Sequence, residues 1–226
     1  MNRIAGIVLV ALVSLTAYGQ KSETRQVGPF KGIRTGEAID VYLKKGDKEA
    51  VKVEVDGVSL SDVLTEVSGS YLKIHMREGN YRNRNVKVYV TYVNLEKISS
   101  SSASNVFSEG VIKTPSLEIN AASAGSVEIQ VDAGSITADA ASAGDITLEG
   151  KTKTLFAEAS SAGSIDAYNL DAENVNVRAS SAGSAKVSAS KELEAEASSG
   201  GSVRYRGNPT KTNTDSSSGG SVKKTS

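Results

Sequence analysis

The sequence predicts an all-β fold: a parallel β-helix, or β-solenoid, of about 19-residue coils, preceded by a β-rich N-terminal module. Three observations predict it. A small polar corner recurs seven times after residue 100: SAS ending at Ser104, SAG ending at Gly125, Gly144, Gly163 and Gly183, and SGG ending at Gly201 and Gly220. The spacings are 21, 19, 19, 20, 18 and 19 residues, the period of a stack in which each repeat packs on the last. Between corners, apolar and polar residues alternate at period two, the mark of half-buried strands. Large side chains are scarce, with no tryptophan and three phenylalanines among 226 residues, so any core must be thin with backbones close together.

The chain opens with MNR, the apolar run IAGIVLVALVSLTA and the small-residue end AYGQ. That pattern reads as a signal peptide over residues 1–19, with Ala17 and Gly19 in the small-residue positions before the cut. The apolar run is shorter than the roughly 20 residues that a spanning helix needs. No stable membrane span is therefore expected after cleavage. Cysteine is absent, so neither an acyl anchor nor a disulfide is available and an apolar core must hold the fold.

Residues 20–98 read as strands. In AIDVYLKKG, Ile39, Val41 and Leu43 alternate with Asp40, Tyr42 and Lys44, and AVKVEVDG, YLKIHM and VKVYVTYVNL repeat the pattern. Gly46-Asp47 and Asp56-Gly57 supply turns. Leu60, Val63, Leu64 and Val67 have helical spacing, which predicts one short helix over residues 59–69 with Ser59 or Ser61 as its cap. This module is expected to cover the first coil.

Residues 99–209 carry the repeats. Counting back in twos from a corner serine gives Leu155, Ala157, Ala159 and Ser161, and the equivalent sets around it shrink in the same way. Period two sends each set to one face of its strand, so the interior tapers toward the corner. The serines are expected to stack as an internal hydroxyl column, and the glycine to supply a positive φ. A half-period echo, DAGSI at residues 132–136, predicts two sides and two corners per coil. In residues 210–226 the apolar places hold Thr212, Thr214 and Ser216, which predicts a polar terminal coil or a frayed tail.

Charge and chemistry narrow the function. Lys and Arg number 26, as do Asp and Glu, but residues 99–209 hold 14 acids against 8 bases. An acidic repeat surface repels phosphate, so nucleic acid is not an expected partner. Outward carboxylates exist at Glu118, Glu128, Asp139, Glu149, Glu158, Glu194 and Glu196, yet they alternate as any solvated strand face does. The only histidine, His75, lies outside the repeats, and the corner serines lack a nucleophile elbow. No catalytic, metal or cofactor site is assigned: Asp145 is a lone corner acid, and a lone acid makes a poor calcium site. Threonines in TKT (152–154) and TKTNT (210–214) do not recur coil after coil as a flat binding array would. The candidate binding segment is REGNYRNRNVK (77–87), read as a hairpin loop in which Arg77, Tyr81, Arg82 and Arg84 would meet an anionic partner.

QVGPFKGIRTGEAIDVYLKKGDKEAVKVEVDG, then LTEVSGSYLKIHM, VKVYVTYVNLEKISSSSASNV and the serial SAGS motif, resembles the auto-transporter adhesin, head GIN domain family from about Val27 to Tyr205. The resemblance implies an exported protein of Bacteroidota-type bacteria, periplasmic or at the surface of a Gram-negative cell, with a β-helix-like fold. It brings no catalytic residues. The resulting expectation is a non-enzymatic binding module for a glycan or protein partner. Its rivals are a polysaccharide lyase or hydrolase on a β-helix scaffold and a purely structural spacer.

Overall fold

The computed structural model describes residues 21–225, so the expected signal peptide lies outside the described residues. Eight strands precede the long coils: β1 (Lys21–Arg25), β2 (Gly32–Thr35), β3 (Asp40–Lys45), β4 (Ala50–Asp56), β5 (Val63–Ser68), β6 (Tyr71–Met76), β7 (Asn85–Tyr92) and β8 (Lys97–Ser100). Five long strands follow: β9 (Asn105–Ala122), β10 (Ser126–Ala141), β11 (Asp145–Ala159), β12 (Ser164–Ala179) and β13 (Ser184–Ala197). The chain ends with β14 (Ser202–Arg206), β15 (Lys211–Ser216) and β16 (Ser221–Lys224). The solenoid is present, with parallel registers such as Ile146↔Ile165 and Leu155↔Val175 between neighbouring coils.

Each long strand covers both sides of its coil. In β10, Val127, Ile129 and Val131 are buried along one side, then Ile136, Ala138 and Ala140 along the other. The alternation slips at Gly134 and Ser135, which turns the inner faces of the two sides toward each other. The second corner is thus a bend inside a continuous strand. Large residues fill the middle and alanines the narrowing end, so Ile136, Leu155, Val175 and Leu193 stack at 4% exposure or less. Burial of one such side chain contributes about 1.5–3 kcal/mol.

The Ser-Ala-Gly corner works differently from its sequence expectation. Ser161 and Ala162 take the left-handed conformation, with φ of 49° and 61°, whereas Gly163 has no positive φ. Glycine is needed there for space: a Cβ on Gly163 would lie 2.5 Å from the Ala140 carbonyl carbon of the coil beneath. The serines are exposed at the turn and form no internal hydroxyl column. Main-chain bonds tie the corners together instead, as in Ala143 N donating to Ser161 O and Ala162 N to Ser181 O, both at 3.1 Å. A hydroxyl cluster does occur at the first SAS corner, where the buried Ser100 and Ser104 oxygens lie 2.9 Å apart.

The parallel stack extends into the N-terminal strands. β2 and β3 form a coil on top of β8 and β9, with Glu37 and Ala38 as its left-handed corner pair. β6 and β7 form the coil beyond it. Antiparallel strands then close this end: β4 on β7, β1 on β4, and β5 on β6. The Arg25 guanidinium bridges the two sides of that closure, donating to Val63 O at 2.6 Å and Leu60 O at 2.7 Å.

Two expectations fail here. Residues 59–69 are not a helix: a single 3-10 turn, Leu60–Asp62, leads into β5. An antiparallel partner, with Val63↔Met76 and Val67↔Leu72, overrides the accidental helical spacing. Nor is 77–84 a hairpin tip. It joins β6 to β7, which do not pair with each other, and is the enlarged corner of a coil. At the far end, β15 pairs with β13 and β16 with β14, and every residue of β15 is exposed.

Candidate functional site

Four outward surfaces have the shape or chemistry to hold a partner. The first is the enlarged corner carrying Arg77, Tyr81, Arg82 and Arg84. Arg84 donates to the main-chain oxygen of Glu37 and lies over the Tyr81 ring, 5.4 Å from its centroid. Glu37 returns the contact to the same corner, its carboxylate accepting from Met76 N at 2.6 Å. Tyr81 packs partly buried against the core. Arg77 reaches Ser61 O at 3.4 Å, and Arg82 is exposed. The four do not converge on one point: Arg84 and Tyr81 hold the corner together, while Arg82 faces solvent.

The second surface is a groove of about 600 Å³ that follows the bends from Thr114 across Asp132, Lys151 and Glu173 to Ser190. Some of its charges are paired, Lys151 with Asp132 at 3.4 Å and Glu173 with Lys191 at 2.7 Å. The hydrogen bond from Lys191 holds the Glu173 carboxyl below the usual carboxylate range. Lys97 does the same to Glu118 on the neighbouring side. Of the threonines, Thr152 is buried in the bend, whereas Thr212 and Thr214 lie on the last coil, so they build no common array.

The third surface is a trough on the outer side of the returning half-strands. Parallel register places Thr137, Phe156, Asn176, Glu194 and Asn213 in one column across five coils. Phe156 stands between the buried Leu155 and Ala157, so parity sends its ring outward, and it is 48% exposed. Small neighbours in the column leave room beside the ring. A depression of about 180 Å³ runs toward Thr137, Asp139 and Arg178. Another of about 340 Å³ runs toward Asn174, Glu192 and Lys211. Asn176 donates to Glu194 at 2.6 Å and Asn174 to Lys153 O at 3.3 Å, which orients both amides.

Another aromatic group borders a depression of about 530 Å³ lined by Tyr42, Lys52, Glu54 and Tyr89. Tyr89, Tyr42 and Phe107 stack across three strands with centroids 5.1 and 5.4 Å apart, so the inner ring faces cover one another. Lys52 lies over Tyr89, 5.7 Å from its centroid. Among the described residues, no ring stacks on Phe156. Its signal was readable in the sequence: a phenylalanine stands where the adjacent coils carry Glu118, Thr137, Asn176 and Glu194. Among the described residues no group of three metal-binding side chains converges.

The family model "Putative auto-transporter adhesin, head GIN domain" matches residues 29–209. The chain belongs to this family. Solved structures agree on the head GIN fold. One, named a "putative adhesin" from Bacteroides fragilis, has a TM-score of 0.83 at 21% identity, over 92% of this chain and 97% of that one. A "putative adhesin" from Parabacteroides merdae has a TM-score of 0.75 at 16% identity, over 92% and 96%. A "putative lipid binding protein" from Parabacteroides distasonis reaches 0.68 at 19% identity, over 92% and 97%. No curated protein matches the chain. Among the described residues, no helix is long and apolar enough to cross a membrane.

Proposed function

We propose that this head GIN protein is a non-enzymatic, adhesin-like module that works outside the cytoplasm and takes a neutral glycan in the trough around Phe156. The observation that carries this reading is an exposed aromatic ring flanked by two depressions and by side-chain amides on a rigid sheet. An aromatic face offers an apolar platform to the C–H face of a pyranose. Asn174 and Asn176 supply donors and acceptors for sugar hydroxyls. The two depressions carry Asp139, Glu158, Glu192 and Glu194 against Arg178 and Lys211, four acids to two bases. That balance disfavours uronates, sialic acids and phosphates, and leaves neutral hexoses and amino sugars.

Two outward carboxylates support a binding rather than a hydrolytic role. A glycosidase needs a carboxylic acid that keeps its proton near neutral pH. Glu118 and Glu173 are pushed the other way by their lysines, so they remain charged acceptors. Membership of the family and the export pattern of residues 1–19 support a place at the cell surface or in the periplasm.

The test is a glycan array followed by calorimetric titration. Neutral hexose or N-acetylhexosamine oligosaccharides should bind saturably, oligouronates should not, and Phe156→Ala should abolish the signal while Phe107→Ala retains it. Saturable uronate binding, or full affinity in Phe156→Ala, would put the site elsewhere.

A further inference from the structure

The two ends of the solenoid are unlike. The N-terminal end finishes in antiparallel strands, β1 outermost on one side and β5 on the other, and Arg25 joins the two sides. The C-terminal end has no such strands: β15 pairs with β13 and β16 with β14, and neither has a strand beyond it among the described residues. An open, straight edge of unpaired N–H and C=O groups is a template for another strand.

We propose that this edge pairs with the same edge of a second copy, β15 against β15, about a two-fold axis through Asn213. The sequence of β15, KTNTDS, is self-complementary when run against itself. With Asn213 opposite Asn213 of the second copy, Lys211 meets Asp215 of the second copy, and Thr212 meets Thr214. Opposite charges and threonine pairs directly across an antiparallel ladder are both favourable, and the two-fold makes each pair twice.

The faces agree as well. Lys211, Asn213 and Asp215 are in register with the outward Glu192, Glu194 and Glu196, and Thr212 and Thr214 with the inward Leu193 and Ala195. In the pair, the ion pairs therefore lie on the surface and the threonines continue the interior. The second edge strand, β16, lies on the other side of the same end coil and pairs with β14. Lys224 is drawn back to its own chain, its ammonium donating to Asn208 Oδ1 at 2.9 Å.

Pairing would also complete the trough. The column Phe156, Asn176, Glu194 and Asn213 reaches the edge strand itself. Through the two-fold it continues into Asn213, Glu194, Asn176 and Phe156 of the second copy. Seven strand spacings would separate the two rings, about 34 Å. The part of this inference that concerns the glycan rests on the function proposed above; the pairing itself does not.

Sedimentation equilibrium of the exported chain, without sugar, tests the pairing. A dimer is expected. Asp215→Lys sets lysine against Lys211 and should weaken the dimer by about tenfold or more. The exchange of both, Lys211→Asp with Asp215→Lys, should restore it. Thermal melting by circular dichroism shows that each variant is folded. A monomeric wild type, an open-ended polymer, a dimer indifferent to Asp215→Lys, or an exchange variant that stays monomeric would overturn the proposal, whatever the glycan array finds.

Discussion

Replacing Gly163 by alanine asks why the corner needs glycine. The added Cβ would sit 2.5 Å from the Ala140 carbonyl carbon and 2.9 Å from Ser160 O, where ordinary contact begins at 3.4 Å. Both obstacles are main chain, so no side chain can rotate away. The coils must part by roughly 1 Å, which stretches the 2.9 Å bond from Ser160 N to Ala140 O beyond reach. A buried carbonyl left unsatisfied costs about 1–3 kcal/mol, and overpacking about as much again. The sum, about 4 kcal/mol, lowers the melting temperature by about 8–16 °C for a chain of this size. Ala162→Gly is the matched control. Ala162 already has φ of 61°, so glycine relieves strain there while adding freedom to the unfolded chain. The two effects nearly cancel, and the shift should stay within about 1 kcal/mol. Circular dichroism melting reads both. If Gly163→Ala melts within about 2 °C of the wild type, the close-approach argument is wrong.

Phe156→Ala should leave the melting temperature unchanged, because the ring is half exposed, while removing glycan binding in calorimetry. Arg84→Ala should destabilise by about 0.5–1.5 kcal/mol through loss of the Glu37 contact, whereas Arg82→Ala should not; equal melting of the two would contradict the assignment. Acidification should act through Glu118 and Glu173, whose carboxyls sit below their ordinary value because of hydrogen bonds from Lys97 and Lys191. A depressed value adds stability above the unfolded carboxylate range and loses it as pH falls through the folded value. The melting temperature should therefore hold from neutrality to about pH 5 and decline below about pH 4, less so in high salt. A rise on acidification would contradict this sign.

The coil period, the strand faces and the tapering interior were legible because each rests on side-chain parity, which a sequence displays directly. Ile136, Leu155, Val175 and Leu193 line up by counting alone. The corner was legible in place but not in mechanism. Serine and alanine give no local sign that they adopt a left-handed conformation, and the glycine that invites that reading serves another need. A clue existed in the SGG copies, where the extra glycines, Gly200 and Gly219, have φ of 75° and 78° at the alanine's place. The helix expected at residues 59–69 failed because four apolar residues at helical spacing carry no information about the partner strand that recruits them. The coil formed by β2 and β3 stayed hidden because its corner, GEAI, keeps neither the serine nor the final glycine. Of the site, parity alone could have found Phe156. The join between Arg84 and Glu37 spans 47 residues and needed the fold.

The closed cap at one terminus has a bearing on how the molecule is made. Polypeptides emerge from the ribosome N-terminus first, so the sealed end is the first to be complete. After β9, each further stretch of about 19 residues finds its template already laid down immediately before it, and the chain entropy lost in adding a rung is the same every time. Assembly can then advance like a zipper whose slider moves only toward the C terminus, with the sticky edge always at the growing tip and the finished rungs shielded behind it.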